Sequence, residues 1–306
     1  MTLIYTHDAF GAHEVPDGHV ERPGRYAAVE HALGQGDLAD LERRVPPMAA
    51  RADIARAHPG GYADAIEAAA PAYGLATLDP DTHMGPHSWQ AAARAAGGAV
   101  AAVDAVMAGA ADTAFVAARP PGHHATPDRA MGFCLLNAVA IGALHALANG
   151  AGRVAVADFD VHHGNGTQDI LASEPRAFFA SSHEWPQYPG TGRARDTGPH
   201  GNLANAPIPT GEGGRAFRAA WHDRLLPAIA DFAPDVLLIS AGFDGHAADP
   251  GGGLALTEDD FAWVTGELLG IARASGRTRV VTVLEGGYDL DALGASVAAH
   301  LSVLSR

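Results

Sequence analysis

Residues 154–167 read Val-Ala-Val-Ala-Asp-Phe-Asp-Val-His-His-Gly-Asn-Gly-Thr, and this stretch decides how the rest of the chain is read. Its first four residues are small or β-branched, and a Gly-Asn-Gly turn closes the run. A short apolar run closed by a turn is the pattern of a buried strand in a parallel sheet, whose carboxyl end opens into a crevice. Side chains alternate along a strand, so Asp158, Asp160 and His162 project to one side. Two carboxylates and an imidazole crowded together are costly unless a cation or a proton offsets them. An aspartate–histidine set suits zinc and its transition-metal neighbours. The alternative is a hydrogen-bonded polar strand end without metal.

Outward from this strand the pattern alternates. Strands are predicted at residues 3–6, 115–118, 153–159, 177–181, 236–241 and 279–284. Helices are predicted at 25–33, 61–70, 87–108, 133–148, 214–231, 257–274 and 290–304, with Thr257 as a cap and Asp260 at its third position. Residues 35–52 read as irregular, 75–86 as a polar loop and 184–209 as a long loop of the length that often carries function. The stretch GAHEVPDGHVERPGR (11–25) is either a solvated connection or the rim of a site. Alternation of this kind implies an α/β protein with a central parallel β-sheet flanked by helices on both faces. With no repeat or linker, residues 1–306 read as a single domain.

At 47% hydrophobic and 18% charged, the 306 residues suffice for a large core. The net charge of −15 argues against a nucleic-acid partner. All 20 basic residues are Arg, which we read as compositional bias. The single Cys134 excludes an internal disulfide and fits a reducing compartment. No basic segment followed by an apolar run opens the chain, and no apolar stretch reaches the ~20 residues of a membrane span. The expectation is a cytoplasmic protein with no membrane partner.

Most of the unusual polar residues follow predicted strands, where open α/β sheets build their sites. His123-His124 follow the second strand, and Asp158, Asp160, His162 and His163 the third. Asp244, His246 and Asp249 follow VLLISA (236–241), and Glu285-Gly286-Gly287-Tyr288 follow the last strand. A metal on Asp160, His162 and Asp244 would keep an open position for water, the catalytic arrangement. Neutral imidazoles at 123 and 124 suit proton transfer near pH 7, with Asp158 able to orient one ring. The Tyr288 hydroxyl could donate to an oxyanion. Each has a plainer reading: a helix cap for Asp244, surface or core histidines, a packing tyrosine.

Six motifs taken together resemble one family: RPPGHHA (119–125), GFCLLN (132–137), DFDVHHGNGT (158–167), YPGTG (188–192), SAGFDGHAADP (240–250) and LEGGY (284–288). They resemble, in order, those of the zinc-dependent histone deacetylases, including bacterial class II-like histone deacetylase-like amidohydrolases and acetylpolyamine amidohydrolases. The resemblance implies an arginase-deacetylase fold and one Zn²⁺ on Asp160, His162 and Asp244. It implies tandem histidines, with His124 as general base and acid, Asp158 orienting His123, and Asn165 facing His124. Tyr288 would be the oxyanion donor. Phe133 and Tyr188 would line a narrow tunnel with Gly132 in its wall, and Asp81 would meet the substrate at the rim. A structural K⁺ is implied near Asp158, Asp160, His162 and Ser181.

The implied reaction removes an acyl group, most simply acetyl, from acyl-lysine or a related small acylated amine. Two departures bear on the substrate. Gly251 stands where many relatives have Leu and one polyamine-selective branch has an acidic gatekeeper, so that wall is expected to be open. Residues 75–86 carry no long insertion of the kind that narrows acetylpolyamine amidohydrolases. An acetylpolyamine amidohydrolase, a non-catalytic acyl-amine binding protein and an arginase-like hydrolase with two Mn²⁺ remain as alternatives, and homo-oligomerisation is left open.

Overall fold

The computed structural model describes residues 1–306. In chain order the elements are β1 (Thr2–Tyr5), α1 (Gly24–Leu33), β2 (Glu42–Arg44), α2 (Arg51–Ala57), α3 (Tyr62–Ala69), β3 (Ala76–Asp79), β4 (Thr82–Met84), α4 (Ser88–Met107) and β5 (Thr113–Val116). They continue with α5 (Ala138–Ala148), β6 (Val154–Asp158), α6 (Asn165–Leu171), β7 (Ala177–Trp185), β8 (Leu203–Pro209) and α7 (Gly214–Ala220). After one wide turn at Trp221–Leu225 come α8 (Leu226–Phe232), β9 (Val236–Ala241), α9 (Glu258–Ala274), β10 (Val280–Leu284) and α10 (Leu290–Leu304).

Eight strands form one parallel sheet in the order β2-β1-β5-β10-β9-β6-β7-β8, and β3 pairs with β4 in a separate antiparallel hairpin. The interior strands are apolar on both faces because helices cover both. Val154 and Val156 enter one core with residues of α4 and α5, whereas Ala155 and Ala157 enter the other with residues of α9 and α10. That two-sided burial is why VAVAD reads as a continuous apolar run rather than an alternating one.

Topology assembles the site. The chain leaves β5 and next enters the sheet at β6, and the space between them is filled later by β9 and β10. The carboxyl ends of four strands far apart in sequence therefore lie side by side. Helix α9 starts as predicted: the Thr257 backbone N–H donates to Asp260 Oδ2 at 3.0 Å, closing a reciprocal cap.

Several boundaries differ from the sequence reading. Residues 35–52 hold β2 and the start of α2, and 184–209 is not one loop, since β7 runs to Trp185 and β8 occupies Leu203–Pro209. Both missed strands are edges of the sheet. An edge strand needs no two-sided burial, and β2 is the largely exposed Glu42-Arg43-Arg44. In β8 two prolines are tolerated because one side of the strand is unpaired. The 75–86 loop contains the β3–β4 hairpin. The helix predicted from 133 begins only at Ala138, where Asn137 Oδ1 accepts the Ala140 N–H at 3.0 Å. No helix is long and apolar enough to cross a membrane.

Candidate active site

Asp160 and His162 follow β6, and Asp244 follows its neighbour β9. One ligand atom of each lies within 4.8 Å of the others. Backbone amides aim the carboxylates: Asp160 Oδ2 accepts Gly286 N–H at 2.8 Å, and Asp244 Oδ1 accepts Val161 N–H at 2.9 Å. His162 Nδ1 stands 3.2 Å from Asp160 Oδ1 and 3.1 Å from Asp244 Oδ2. The cradle is cut to the carboxylates. A Cβ at Gly242 would lie 2.0 Å from Asp160 Oδ2, and one at Gly286 2.1 Å from Asp244 Oδ2.

The protons report the same crowding. Burial, then the neighbouring Asp160 charge, raises the Asp244 carboxyl to about 7. Burial opposes the charged form of His162, yet its hydrogen bonds to Asp160 and Asp244 hold its imidazolium well above the usual range. Bringing two buried acids this close is offset by a cation in place of those protons. Two carboxylates and one imidazole, with no further side chain in the cluster, fit a divalent transition metal.

The loop after β5 brings His123 and His124 beside this cluster, their ring centroids 4.0 Å apart. Their environments differ in sign. His123 Nδ1 lies 3.0 Å from Asp158 Oδ2; burial would lower its pKa, but the charges of Asp160 and Asp158 prevail and raise it to about 10. His124 Nδ1 faces Asn165 Oδ1 at 2.8 Å, and an amide oxygen only accepts, so Nδ1 carries the proton and Nε2 keeps its lone pair. Burial and the His123 charge lower the His124 pKa well below the ordinary value. One ring holds a proton and the other is a neutral acceptor.

Glu285 was quoted in the sequence only as part of a motif, yet it fixes this turn. Its Oε2 accepts Gly122 N–H at 2.6 Å and His123 N–H at 3.0 Å, and Oε1 accepts the Ser240 hydroxyl at 3.1 Å. Burial raises its carboxyl to about 7, with the His123 charge opposing. Asp158 and Ser181 are paired across β6 and β7.

Tyr288 follows β10 and is buried, and burial together with the Asp244 charge keeps its hydroxyl protonated far above the usual range. Phe133 stands edge-on to Tyr288 at 5.9 Å and to His19 at 4.7 Å. It is held in a left-handed turn with φ 68°, a conformation costly for a bulky residue, rather than in the predicted helix. On the other side, the Tyr188 ring lies 5.1 Å from His124 and 6.2 Å from His162. Asp81, on the hairpin, accepts Gly132 N–H at 3.1 Å.

Gly251 corrects an expectation. The wall it occupies is not open: a Cβ there would lie 2.7 Å from Tyr288 Cδ2, so the Tyr288 ring itself fills that space. Asp249 ties the two together, accepting the N–H groups of Gly251 at 2.8 Å, Tyr288 at 2.6 Å and Asp289 at 2.9 Å.

The loop 11–25 proves to be support for the site. Glu21 is fully buried and its Oε1 accepts from Arg119 Nε at 2.7 Å and Arg25 Nη1 at 2.9 Å, while Oε2 lies 3.3 Å from His13 Nε2. Arg25 in turn donates to the carbonyls of Gly287 and Glu285, on either side of Gly286, and its guanidinium sits 5.1 Å from the Tyr288 ring centroid. The i, i+4 spacing of Glu21 and Arg25 across GHVERPGR was the available signal.

Comparison with known proteins follows the same lines. A family model described as a histone deacetylase domain matches residues 19–304. An uncharacterized protein of Synechocystis sp. is 39% identical over 99% of both chains. A histone deacetylase-like amidohydrolase of Pseudomonas aeruginosa is 39% identical over 89% of this chain and 73% of its own. The crystal structure of an acetylpolyamine aminohydrolase from Burkholderia pseudomallei superposes with a TM-score of 0.87 at 30% identity, covering 100% of this chain and 99% of that one.

Proposed function

Since the chain belongs to the histone deacetylase family, we propose that it is a zinc-dependent amidohydrolase removing an acyl group, most simply acetyl, from an acylated amine such as acyl-lysine. The observation that carries this reading is geometric: two adjacent histidines, one hydrogen-bonded to Asp158 and the other to Asn165, stand beside a three-ligand metal cluster. Asp160, His162 and Asp244 would hold Zn²⁺, which when bound polarises an amide carbonyl and makes water acidic. His124 Nε2, unprotonated because Nδ1–H is committed to Asn165, takes the proton from the attacking water. It then returns that proton to the departing amine nitrogen. Tyr288 donates its hydroxyl hydrogen to the oxygen on which charge develops. His123, whose Nδ1 lies 3.0 Å from Asp158 Oδ2, is held in a fixed orientation beside His124. Phe133 and Tyr188 act as the walls for the acyl-bearing chain, and Asp81 as an acceptor at the rim. For a structural K⁺, Asp158, Asp160, His162 and Ser181 are the proposed neighbours, and the whole chain acts as one catalytic domain.

Hydrolysis of a fluorogenic acetyl-lysine amide, measured beside N-acetylputrescine with and without a hydroxamate chelator, tests this. Chelator-sensitive turnover of the lysine substrate is expected, with Tyr288→Phe and His124→Ala each slower by about 10²-fold or more. Turnover by those variants at the wild-type rate would overturn the mechanism, and turnover of N-acetylputrescine alone would move the substrate class to polyamines.

A further inference from the structure

Two histidines outside the proposed chemistry, His163 and His183, are buried side by side with ring centroids 4.7 Å apart. Their hydrogen bonds all run to the segment that carries Tyr188 or to fixed strand and helix groups. Gln168 Oε1 already accepts Asn205 Nδ2–H at 2.8 Å, so His163 Nε2, 3.1 Å away, is a second donor to it. His163 Nδ1 is then an acceptor and takes the Thr191 hydroxyl hydrogen at 2.7 Å. His183 Nε2–H donates to the Gly192 carbonyl at 2.9 Å, and its Nδ1 accepts from Ser181 Oγ at 2.9 Å. Gly192 lies flat on both rings. Its φ is +84°, and a Cβ there would come within 2.5 Å of His163 Cδ2 and 2.7 Å of His183 Cε1.

We propose that His163 and His183 are positioning residues that dock the 188–192 segment on the sheet and thereby set how far Tyr188 stands from the proposed metal cluster. This rests on the reading of Tyr188 as a wall of the acyl-chain tunnel. One end of the segment is pinned by two hydrogen bonds and a glycine that admits no side chain. The other end presents a ring against His124 and His162. Between them lie only Pro189 and Gly190, so a shift at Thr191 or Gly192 is passed to Tyr188 rather than absorbed. The consequence is specificity through the wall, with the proton-transfer groups left where they are.

Thr191 is exposed, so Thr191→Val removes its bond to His163 without opening a core. Two hydroxamates separate the wall from the metal: acetohydroxamate has no chain to run along the Tyr188 ring, whereas an aryl hydroxamate on a six-carbon linker must pass it. In the zinc-loaded protein, Thr191→Val is expected to weaken the long hydroxamate about fivefold, the worth of one neutral hydrogen bond, and to leave acetohydroxamate unchanged. Thr191→Ser should restore wild-type binding. With the acetyl-lysine amide, KM should rise by a similar factor while kcat holds. Equal weakening of both hydroxamates, or no weakening of the long one, would overturn the proposal. A wild-type protein that shows this binding pattern but hydrolyses no acetyl-lysine would refute the proposed reaction and leave the wall assignment standing.

Discussion

Replacing Glu21 by Gln changes the shape of the buried network hardly at all and its charge by one. Glu21 is shared by two guanidiniums, Arg119 at 2.7 Å and Arg25 at 2.9 Å, all of them sealed from solvent. Glutamine keeps an oxygen for both donors but leaves two buried cations without a counter-charge. Removing one partner of a buried ion pair costs about 3–5 kcal/mol, a large share of the roughly 5–15 kcal/mol that holds a domain together. A melting temperature lower by roughly 10 °C is expected. The sign of the pH dependence is a second check. Burial favours the neutral acid, but Arg119 outweighs it and depresses the Glu21 carboxyl. That stabilisation is present above the unfolded carboxylate's pKa of about 4.5 and is lost as pH falls below it. The variant should therefore lose most relative to wild type at neutral pH, and the gap should narrow progressively below pH 4.5, closing only as pH falls through the depressed folded value. Adding Arg119→Met should recover part of the loss by removing one stranded cation. Thermal unfolding gives the melting temperatures, and chemical denaturation across pH gives the pH dependence and the recovery in the double variant. A Glu21→Gln protein that melts within about 2 °C of wild type at pH 7 would refute the reasoning.

Three other outcomes follow from particular contacts. Gly251→Ala presses a methyl into Tyr288 at 2.7 Å, where ordinary contact starts at 3.4 Å, so kcat should fall about 10- to 100-fold while the chain stays folded; an unchanged kcat sinks the idea that Tyr288 needs that space. Burial and the Asp160 charge raise the metal-free Asp244 carboxyl to about 7, and, against burial, hydrogen bonds to Asp160 and Asp244 raise His162, so zinc binding should release protons, and more of them at pH 6 than at pH 8; calorimetry in buffers of different ionisation enthalpy that finds none would contradict the cluster as drawn. His58 and His300 are buried and neutral, lowered by burial to about 4 and about 3, so unfolding takes up their protons as pH drops below 6.5. Each should contribute a stability loss of about 1.4 kcal/mol per pH unit between pH 6 and its folded value, and His58→Gln should flatten that slope.

How far the sequence carried follows from what each residue's neighbours do. Asp158, Asp160, His162 and Asp244 were legible because two-sided burial makes β6 and β9 unmistakably apolar until the point where the chemistry starts. The edge strands β2 and β8 carry no such signal, since β2 is the largely exposed Glu42-Arg43-Arg44 and β8 is broken up by Pro207 and Pro209. Phe133 was read into a helix because GFCLLN is apolar and propensity does not register a left-handed turn that tertiary contacts hold in place.

The support of the site was the least legible part, and for one physical reason. Glu21, Arg25 and Glu285 act through partners at least four residues away, and mostly about a hundred or more, brought together only because β9 and β10 fill the gap between β5 and β6. The same topology makes the site hard to dismantle piecemeal. Arg25 holds the Gly287 and Glu285 carbonyls, Glu285 holds the His123 turn, and the Gly286 N–H holds Asp160. One tetrapeptide, Glu285-Gly286-Gly287-Tyr288, thus meets the metal cluster, the histidine pair and the buried arginine. A backbone shift there must disturb all three, and that coupling is why Glu21, which touches none of the reacting atoms, is buried with two arginines beneath it.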